Sequence, residues 1–206
     1  PAWFTLALSL NKFDAKWLSD FKIGLKDISN ELKIPLIGGD TTKGNISITV
    51  QVGGYVDKGK ALTRSGAKVG DSIYVTGCIG EASSELDRLK EEVSVKQTHA
   101  ISSNSNRYTR PKIRFGVGSK LVGIASSAID ISDGLFQDLN HICKSSKVRA
   151  KIFLEKIPTF LDAGLSLKDF NRGDDYEIIF TSSHLNKDKI IKISQDEDIK
   201  ISEIGV

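Results

Sequence analysis

The sequence contains, at residues 3–32, the stretch WFTLALSLNKFDAKWLSDFKIGLKDISNEL, whose apolar period changes partway along. Residues 3–10 alternate in hydrophobicity and are rich in β-compatible side chains, which predicts a strand. From Asp14 onward the apolar residues recur at spacings of three and four, which predicts a helix with Asp14 as its N-cap. A change from period two to period 3.6 within one stretch is typical of a protein that mixes the two element types.

The same alternation of strand and helix patterns continues to the end of the chain. Further predicted strands cover residues 36–37, 46–52, 72–76, 128–131, 150–154, 176–181 and 199–204, and further predicted helices cover residues 80–92, 111–125, 135–142 and 187–194. The glycine-rich and polar stretch around residue 60 separates two groups of elements. We therefore predict a mixed α and β fold of the α+β class, with one domain at residues 1–60 and a second at residues 61–206.

Composition and charge exclude several classes of function. The 206 residues are 39% hydrophobic and 27% charged, and the net charge of +3 is spread along the chain without a basic stripe. We therefore expect no nucleic-acid partner. No apolar run approaches the roughly 20 residues that span a bilayer, so we expect no membrane and a cytoplasmic location. The two cysteines and three histidines show no zinc-ligand spacing.

The first segment with chemical potential is Gly38-Gly39-Asp40-Thr41-Thr42, which follows a short apolar strand. Glycines let backbone N–H groups approach a phosphate, and a carboxylate beside hydroxyl groups offers hard oxygen ligands for Mg²⁺. The alternative is a tight turn before a hairpin strand, because Gly and Asp are common turn residues.

The second segment is Asp130-Ile131-Ser132-Asp133-Gly134, between a predicted strand and a predicted helix. An acidic residue in a first helical turn is favoured for structural reasons alone, which accounts for Asp133. It does not account for Asp130, because a carboxylate at a buried strand end needs a partner. Mg²⁺ is one such partner.

Two further segments are less distinctive. Gly173-Asp174-Asp175-Tyr176-Glu177 is either an acidic turn before an edge strand or an acidic, aromatic loop that receives a cationic or hydroxylated substrate. Arg64 could bind a phosphate through two N–H groups or could be an ordinary surface side chain. The spacing of a P-loop is absent from the chain.

In their order and separation these segments resemble the thiamine-monophosphate kinase family, within the superfamily that includes aminoimidazole ribonucleotide synthetase and selenophosphate synthetase. The resemblance covers nearly the whole chain and also includes residues 1–10, residues 61–71 and residues 127–135. It implies an N-terminal aminoimidazole ribonucleotide synthetase-like sheet domain that joins a second subunit in a homodimer. It also implies a C-terminal α/β domain that closes over nucleotide and substrate.

The resemblance implies direct in-line transfer of the γ-phosphoryl group of ATP to thiamine monophosphate, with Mg²⁺ as cofactor and no catalytic acid or base. Matching positions assign magnesium to Asp40, Asp130 and Asp133, the nucleotide to Gly38, Gly39, Arg64 and Ser132, and thiamine monophosphate to Asp174. Phosphoryl transfer depends mainly on positioning and charge neutralisation, which agrees with carboxylates contributed from several loops.

The chain also departs from the family pattern. An upstream Gly-Asp-Asp loop and Ser-Asp segment, which supply magnesium ligands in the family, have no counterpart before Pro1, and a C-terminal region with an aromatic residue is missing after Val206. We therefore expect a truncated chain with a partial magnesium site. Two alternatives remain: another ATP-dependent enzyme of the superfamily, and a non-catalytic nucleotide-binding or dimerisation module.

Overall fold

A computed structural model describes residues 1–94, 107–159 and 169–206. These residues form two compact units, Pro1–Gly59 and Lys60–Val206. Both units combine helices with β-sheet, so the predicted mixed α and β class is confirmed. Among the helices described, none has both the length and the apolar character needed to cross a membrane.

The first unit is a three-stranded sheet with one helix. Its elements are β1 (Trp3–Leu10), α1 (Ala15–Leu32), β2 (Leu36–Lys43) and β3 (Ser47–Gly53), in the sheet order β2-β1-β3. Strand β1 is parallel to β2 and antiparallel to β3. The predicted N-cap is confirmed, because the Asp14 carboxylate accepts a hydrogen bond of 3.0 Å from the Trp17 amide.

The two faces of this sheet differ in polarity because cross-strand partners share a face. Strands β1 and β3 place Phe4, Leu6 and Leu8 beside Val52, Val50 and Ile48 on the apolar face. A cleft of about 310 Å³ on this face is lined by apolar side chains of both β1 and α1, including Leu6, Leu18 and Phe21. The opposite face carries polar partners such as Ser9, Thr42 and Ser47, so it is the hydrophilic side of the sheet.

The second unit is a four-stranded antiparallel sheet with helices on both faces. Its elements are β4 (Asp71–Thr76), α2 (Glu81–Ser94), α3 (Phe115–Lys120), β5 (Ser127–Ile131), α4 (Leu135–Ser146), β6 (Glu177–Ser183), α5 (Lys187–Asp196) and β7 (Ile201–Gly205). The sheet order is β5-β6-β4-β7, so β4 and β6 are central.

Two apolar clusters cover the faces of this sheet. Residues of α4, including Leu135 and Ile142, pack with Val75 on one face. Residues of α3 and α5 pack on the other face, where the rings of Tyr74 and Phe180 stack with their centroids 5.2 Å apart. All six residues of β4 are buried, which fits its central position between two helical layers.

Three predicted elements are wrong in kind or extent. The segment that includes Gly38 and Gly39 is not a turn but part of β2, because its backbone pairs with β1. The helix predicted over residues 111–125 shrinks to α3, which has 6 residues. Three glycines in this stretch lower its helix propensity, and Arg114 is held by a hydrogen bond of 2.7 Å from its Nε to Glu177.

The strand predicted over residues 150–154 is reduced to a single bridge. Ile152 pairs with Gly205, and the chain then enters a short 3-10 helix, Leu154–Lys156. The end of β7 thus receives only a brief backbone partner at this edge.

Candidate active site

The turn between β5 and α4 carries the two carboxylates predicted to bind magnesium. Asp130 is the penultimate residue of β5 and lies opposite Ile178 of β6. Asp133 lies two residues before the start of α4. Both side chains are exposed. The reason given for Asp130, a carboxylate at a buried strand end, is therefore wrong, because alternate residues of an edge strand face solvent and Asp130 is one of them.

Asp138, in the first helical turn of α4, binds the backbone of the segment between β5 and α4. Its Oδ2 accepts hydrogen bonds of 3.1 Å from each of three consecutive backbone N–H groups, those of Ser132, Asp133 and Gly134. Asp138 is 1% exposed. These three N–H groups point into the protein, so they do not form an open phosphate cradle, and the predicted nucleotide contact of Ser132 would use its half-buried hydroxyl group.

A second loop, residues 171–176, lies directly against this turn. The Asp174 amide donates to the Ser132 carbonyl at 3.0 Å, and the Tyr176 amide donates to the Ile131 carbonyl at 2.8 Å. Such contact requires glycine, because a Cβ on Gly173 would lie 2.0 Å from the Ser132 oxygen. The structure thus brings Asp174 next to the segment that carries Asp130 and Asp133.

The second loop has an unusual backbone at Asp174 and Tyr176. Asp174 has φ of 69° and Tyr176 has φ of 49°, both in the left-handed region that L-residues rarely adopt. The Tyr176 hydroxyl donates to Asp174 Oδ1 at 3.3 Å. Burial of the ring, followed by the negative charge of Asp174, raises the pKa of Tyr176. Tyr176 therefore stays a neutral hydrogen-bond donor near neutral pH.

A buried ionic network holds this loop in place. Glu177 is 1% exposed and accepts from Thr76 Oγ1 at 2.6 Å, from Arg114 Nε at 2.7 Å and from Arg107 Nη2 at 2.5 Å. The same Arg107 nitrogen donates to the Asp175 carbonyl at 3.0 Å. Two guanidinium groups compensate one buried carboxylate. Removal of one partner from such a buried network destabilises the fold by more than the network itself stabilises it, because a buried charge is left uncompensated.

Asp175 anchors the same loop to the start of α2. Its carboxylate accepts from the Gly80 amide at 3.0 Å and from the Ala82 amide at 3.4 Å, and its side chain is 2% exposed. Burial raises the pKa of Asp175 to about 6, although these N–H groups and Arg107 act in the opposite direction. The loop is therefore fixed at both of its buried acidic residues, while Asp174, which directly precedes them, is only half-buried.

The predicted residues of the first unit lie on strand β2. Asp40 is exposed on the polar face, and its Oδ1 accepts from the Thr41 amide at 2.8 Å. Gly39 is needed for strand packing, because a Cβ there would lie 1.9 Å from the Leu6 carbonyl oxygen. Gly38 has no atom within 4 Å of the corresponding position, so its surroundings leave room for a ligand.

Arg64 lies away from the carboxylates of the second unit. Its carbonyl accepts from Ser146 Oγ at 3.2 Å, at the last residue of α4, whereas Asp133 precedes the first residue of that helix. A helix of 12 residues is about 18 Å long at 1.5 Å per residue. The structure thus does not bring Arg64 together with Ser132, and the Arg64 side chain is exposed.

The carboxylates of these two loops suit a hard divalent cation, because Asp130 and Asp133 are exposed and Asp174 is only half-buried. Within the described ranges, Asp130, Asp133 and Asp174 form no ion pair with any Lys or Arg, and the hydrogen bond to Asp133 from Gln137 measures 3.3 Å. Uncompensated oxygen donors from adjacent loops are the ligand type that Mg²⁺ takes. The donor set therefore fits magnesium.

Sequence reasoning missed two residues that lie beside this site. Ligand atoms of Asp133, Asp138 and His141 all lie within 4.8 Å of one another. Asp138 and His141 are three residues apart and so share a face of α4. That spacing, directly after an Asp-Gly turn, was the available signal. No sequence pattern indicated the ion pair between Arg107 and Glu177, because these residues are far apart in the chain.

The chain is similar to one family model and to curated proteins of known function. The family model "AIR synthase related protein, N-terminal domain" matches residues 1–56. The thiamine-monophosphate kinase of Salmonella typhimurium is 39% identical over 213 residues, which include 100% of this chain and 63% of that protein. The chain thus spans 63% of the length of this curated relative.

Solved structures share the fold. The thiamine-monophosphate kinase from Stenotrophomonas maltophilia K279a has a TM-score of 0.86 and 35% identity, and the match covers 100% of this chain and 68% of that one. A structure of AaThiL complexed with AMPPCP and TMP has a TM-score of 0.79 at 24% identity, and covers 100% of this chain and 66% of that one. At that identity the second likeness shows the fold alone.

Proposed function

Because the chain belongs to the thiamine-monophosphate kinase family, we propose that it serves the transfer of the γ-phosphoryl group of ATP to thiamine monophosphate, which gives thiamine diphosphate and ADP. The observation that carries the proposal is the contact between the two acidic loops of the second unit. The Asp174 amide lies 3.0 Å from the Ser132 carbonyl, so the loop that carries Asp174 is held against the segment that carries Asp130 and Asp133.

In this proposal the exposed carboxylates hold the metal and orient the phosphates. We propose Asp130 and Asp133 of the second unit, and Asp40 of the first unit, as magnesium ligands. Mg²⁺, when bound, neutralises phosphate charge and so lets two anionic groups approach. Support comes from the exposure of all three side chains and from the absence of ion-pair partners at Asp130 and Asp133 within the described part of the chain.

The nucleotide and the acceptor are assigned to different segments. We propose that Gly38 and Gly39 contact the nucleotide, with the open space at Gly38 in support, and that Ser132 contacts it through its hydroxyl group. Arg64 is left out of this set, because the length of α4 separates it from Ser132. Asp174 meets thiamine monophosphate, whose thiazolium ring is cationic and is attracted by a carboxylate. Tyr176 lies beside it as a neutral donor. Because the AaThiL relative was solved with AMPPCP and TMP, the same two ligand classes are the natural choice here.

The reaction needs no side chain as a general base. The acceptor is a phosphate oxygen that is already ionised near neutral pH, so no proton has to be removed before attack. The protein instead supplies in-line positioning and charge neutralisation, which are the main requirements of phosphoryl transfer. We therefore propose direct transfer without a phosphoenzyme and assign no catalytic acid or base.

A homodimer is part of the proposal and rests on the first unit. Ile48, Val50 and Val52 of β3 are between 45% and 56% exposed on its apolar face, and exposed apolar patches often mark interfaces. Sedimentation equilibrium that gave a monomeric mass at micromolar concentration would contradict this part. The cytoplasmic location stays a prediction from the sequence.

The proposal is tested with the complete gene product, incubated with ATP, Mg²⁺ and thiamine monophosphate. We expect thiamine diphosphate to form, and the variant Asp133→Asn to lose on the order of 100-fold in kcat/KM, because a charge that orients the metal is removed. Asp188→Asn is the matched control, since Asp188 is an exposed aspartate in the first turn of α5.

Three results would contradict the proposal or one of its parts. Formation of ADP without thiamine diphosphate, on addition of an amide or selenide acceptor, would favour another enzyme of the superfamily. Nucleotide binding without any ATP turnover would favour a non-catalytic module. Equal activity of Asp133→Asn and Asp188→Asn would reject the assigned magnesium ligand.

A further inference from the structure

We propose that Asp138 is a positioning residue that fixes both acidic loops of the second unit at once. It does so through the backbone of residues 132–134, without contact to nucleotide or substrate. The expected effect on metal binding rests on the proposed function, whereas the expected effect on the order of the two loops does not.

The first step is the geometry at Asp138. One carboxylate oxygen accepts three consecutive N–H groups, at 3.1 Å each, from Ser132, Asp133 and Gly134. Hydrogen bonds to an ionised acceptor are about twice as strong as neutral ones. Three such bonds determine the directions of three successive peptide planes, and therefore determine where the Asp133 side chain leaves the backbone.

The second step is the transmission to the other loop. In a planar trans peptide the C=O and N–H groups point in opposite directions, so the inward Asp133 N–H directs the Ser132 carbonyl of the same plane away from Asp138. The Ser132 carbonyl is the acceptor for the Asp174 amide at 3.0 Å, and a Cβ on Gly134 would lie 2.6 Å from Asn171 Cα. The two loops therefore touch along their backbones. A rotation of the plane at residues 132–133 would break the bond that places Asp174.

The third step concerns charge. Asp138 is 1% exposed and has no Lys or Arg ion-pair partner in the described ranges of the chain. Its charge is compensated by the three N–H groups and by the start of α4, where the helix dipole favours an anion. An asparagine at this position would have nearly the same shape but no negative charge. Its hydrogen bonds to the three N–H groups would therefore be weaker than those of a carboxylate.

The test compares Asp138→Asn with wild type in the complete gene product, with Asp188→Asn as the control for loss of an aspartate from a first helical turn. Mn²⁺ is the probe ion, and its dissociation constant is measured by electron paramagnetic resonance. Amide hydrogen exchange is measured at residues 132–134 and at Asp174. We expect the dissociation constant to rise about 10- to 100-fold, as for residues that orient metal ligands.

The decisive amide is that of Asp174, which Asp138 does not touch. If Asp138 fixes both loops, the Asp174 amide exchanges faster in Asp138→Asn together with residues 132–134. If exchange changes only at residues 132–134, or if Mn²⁺ affinity equals that of Asp188→Asn, the inference is overturned.

A second variant covers the case in which Asp138→Asn does not fold. Asp138→Glu keeps the charge and the acceptor but displaces them by one methylene group. We expect intermediate Mn²⁺ affinity and intermediate exchange at Asp174, and wild-type values for both would contradict the inference. Absence of thiamine diphosphate formation by wild type would reject the proposed function, whereas the exchange result would still decide the role of Asp138.

Discussion

Asp175 and Glu177 are close neighbours in the sequence but meet different environments in the protein. Glu177 receives two guanidinium groups and a hydroxyl group, so its negative charge is compensated. Asp175 receives the backbone N–H groups of Gly80 and Ala82, while burial raises its pKa to about 6. The acidic loop is therefore held by ionic contacts at Glu177, and at Asp175 by contacts whose contribution depends on pH.

The direction of this pH dependence follows from the two pKa values of Asp175. The folded value of about 6 exceeds the unfolded value of 3.8, so the folded state binds the proton more tightly. The stabilising contribution is fully present below pH 3.8 and is lost as the pH rises through 6. Since one pKa unit corresponds to about 1.4 kcal/mol, the loss between pH 4 and pH 7 is on the order of 3 kcal/mol.

Urea unfolding of wild type and Asp175→Asn at several pH values between 4 and 7 measures this effect. We expect the free energy of unfolding of wild type, relative to the variant, to fall as the pH rises, because Asn cannot lose a proton. A difference between the two proteins that stays constant across this range would show that Asp175 titrates normally.

At the scale of elements, strand β2 shows that a glycine-rich segment can be a strand when its backbone is close to a neighbour. Gly39 lies opposite Leu6 in the parallel pair, with no room for a side chain. Gly38 precedes it on the same strand and has open space around it. The two adjacent glycines thus serve different purposes.

This difference predicts unequal losses of stability for two neighbouring substitutions. Gly39→Ala forces a contact with the β1 backbone and requires a positive φ of 154°, so we expect a loss of about 1–3 kcal/mol in the free energy of unfolding. Gly38→Ala meets no atom and should change stability by less than about 1 kcal/mol, in either direction. Thermal or urea unfolding of both variants provides the measurement, and equal losses would contradict the account of β2.

The same elements show what the sequence could predict. The period of two at β1 and the period of 3.6 at α1 are local signals, and both elements have nearly the predicted bounds. The extension of β2 through Gly38 and Gly39 was not predictable from propensity, because pairing with β1 overrides it. The short α3 depends on the contact between Arg114 and Glu177, which joins residues far apart in the sequence.

The candidate site divides in the same way. Asp130 and Asp133 lie on one loop, so their proximity followed from the sequence pattern. The position of Asp174 beside Ser132 depends on a backbone contact between two distant loops, which no local pattern encodes. Only the family resemblance linked these segments. Asp138 escaped notice because an acidic residue in a first helical turn has an ordinary structural explanation.

At the scale of the whole molecule, the proposed chemistry draws on both units. Asp40 lies on the polar face of the first unit, and Asp130, Asp133 and Asp174 lie on adjoining loops of the second. Phosphoryl transfer between two anionic partners depends on positioning and charge neutralisation, which agrees with carboxylates contributed by several segments. The two loops of the second unit are held together by hydrogen bonds of the backbone and by a buried network, so they provide the strongest structural support for a magnesium site at Asp130 and Asp133.

Anomalous diffraction tests directly whether Asp130 and Asp133 bind the metal. The crystals are of the complete gene product and are grown with Mn²⁺ and AMPPCP. We expect a manganese peak with carboxylate oxygens of Asp130 or Asp133 at about 2.1 Å, the bond length typical of the magnesium it replaces. The phosphates should lie between this ion and the loop that carries Asp174. Manganese peaks that contact neither Asp130 nor Asp133, with the nucleotide bound elsewhere, would contradict the account.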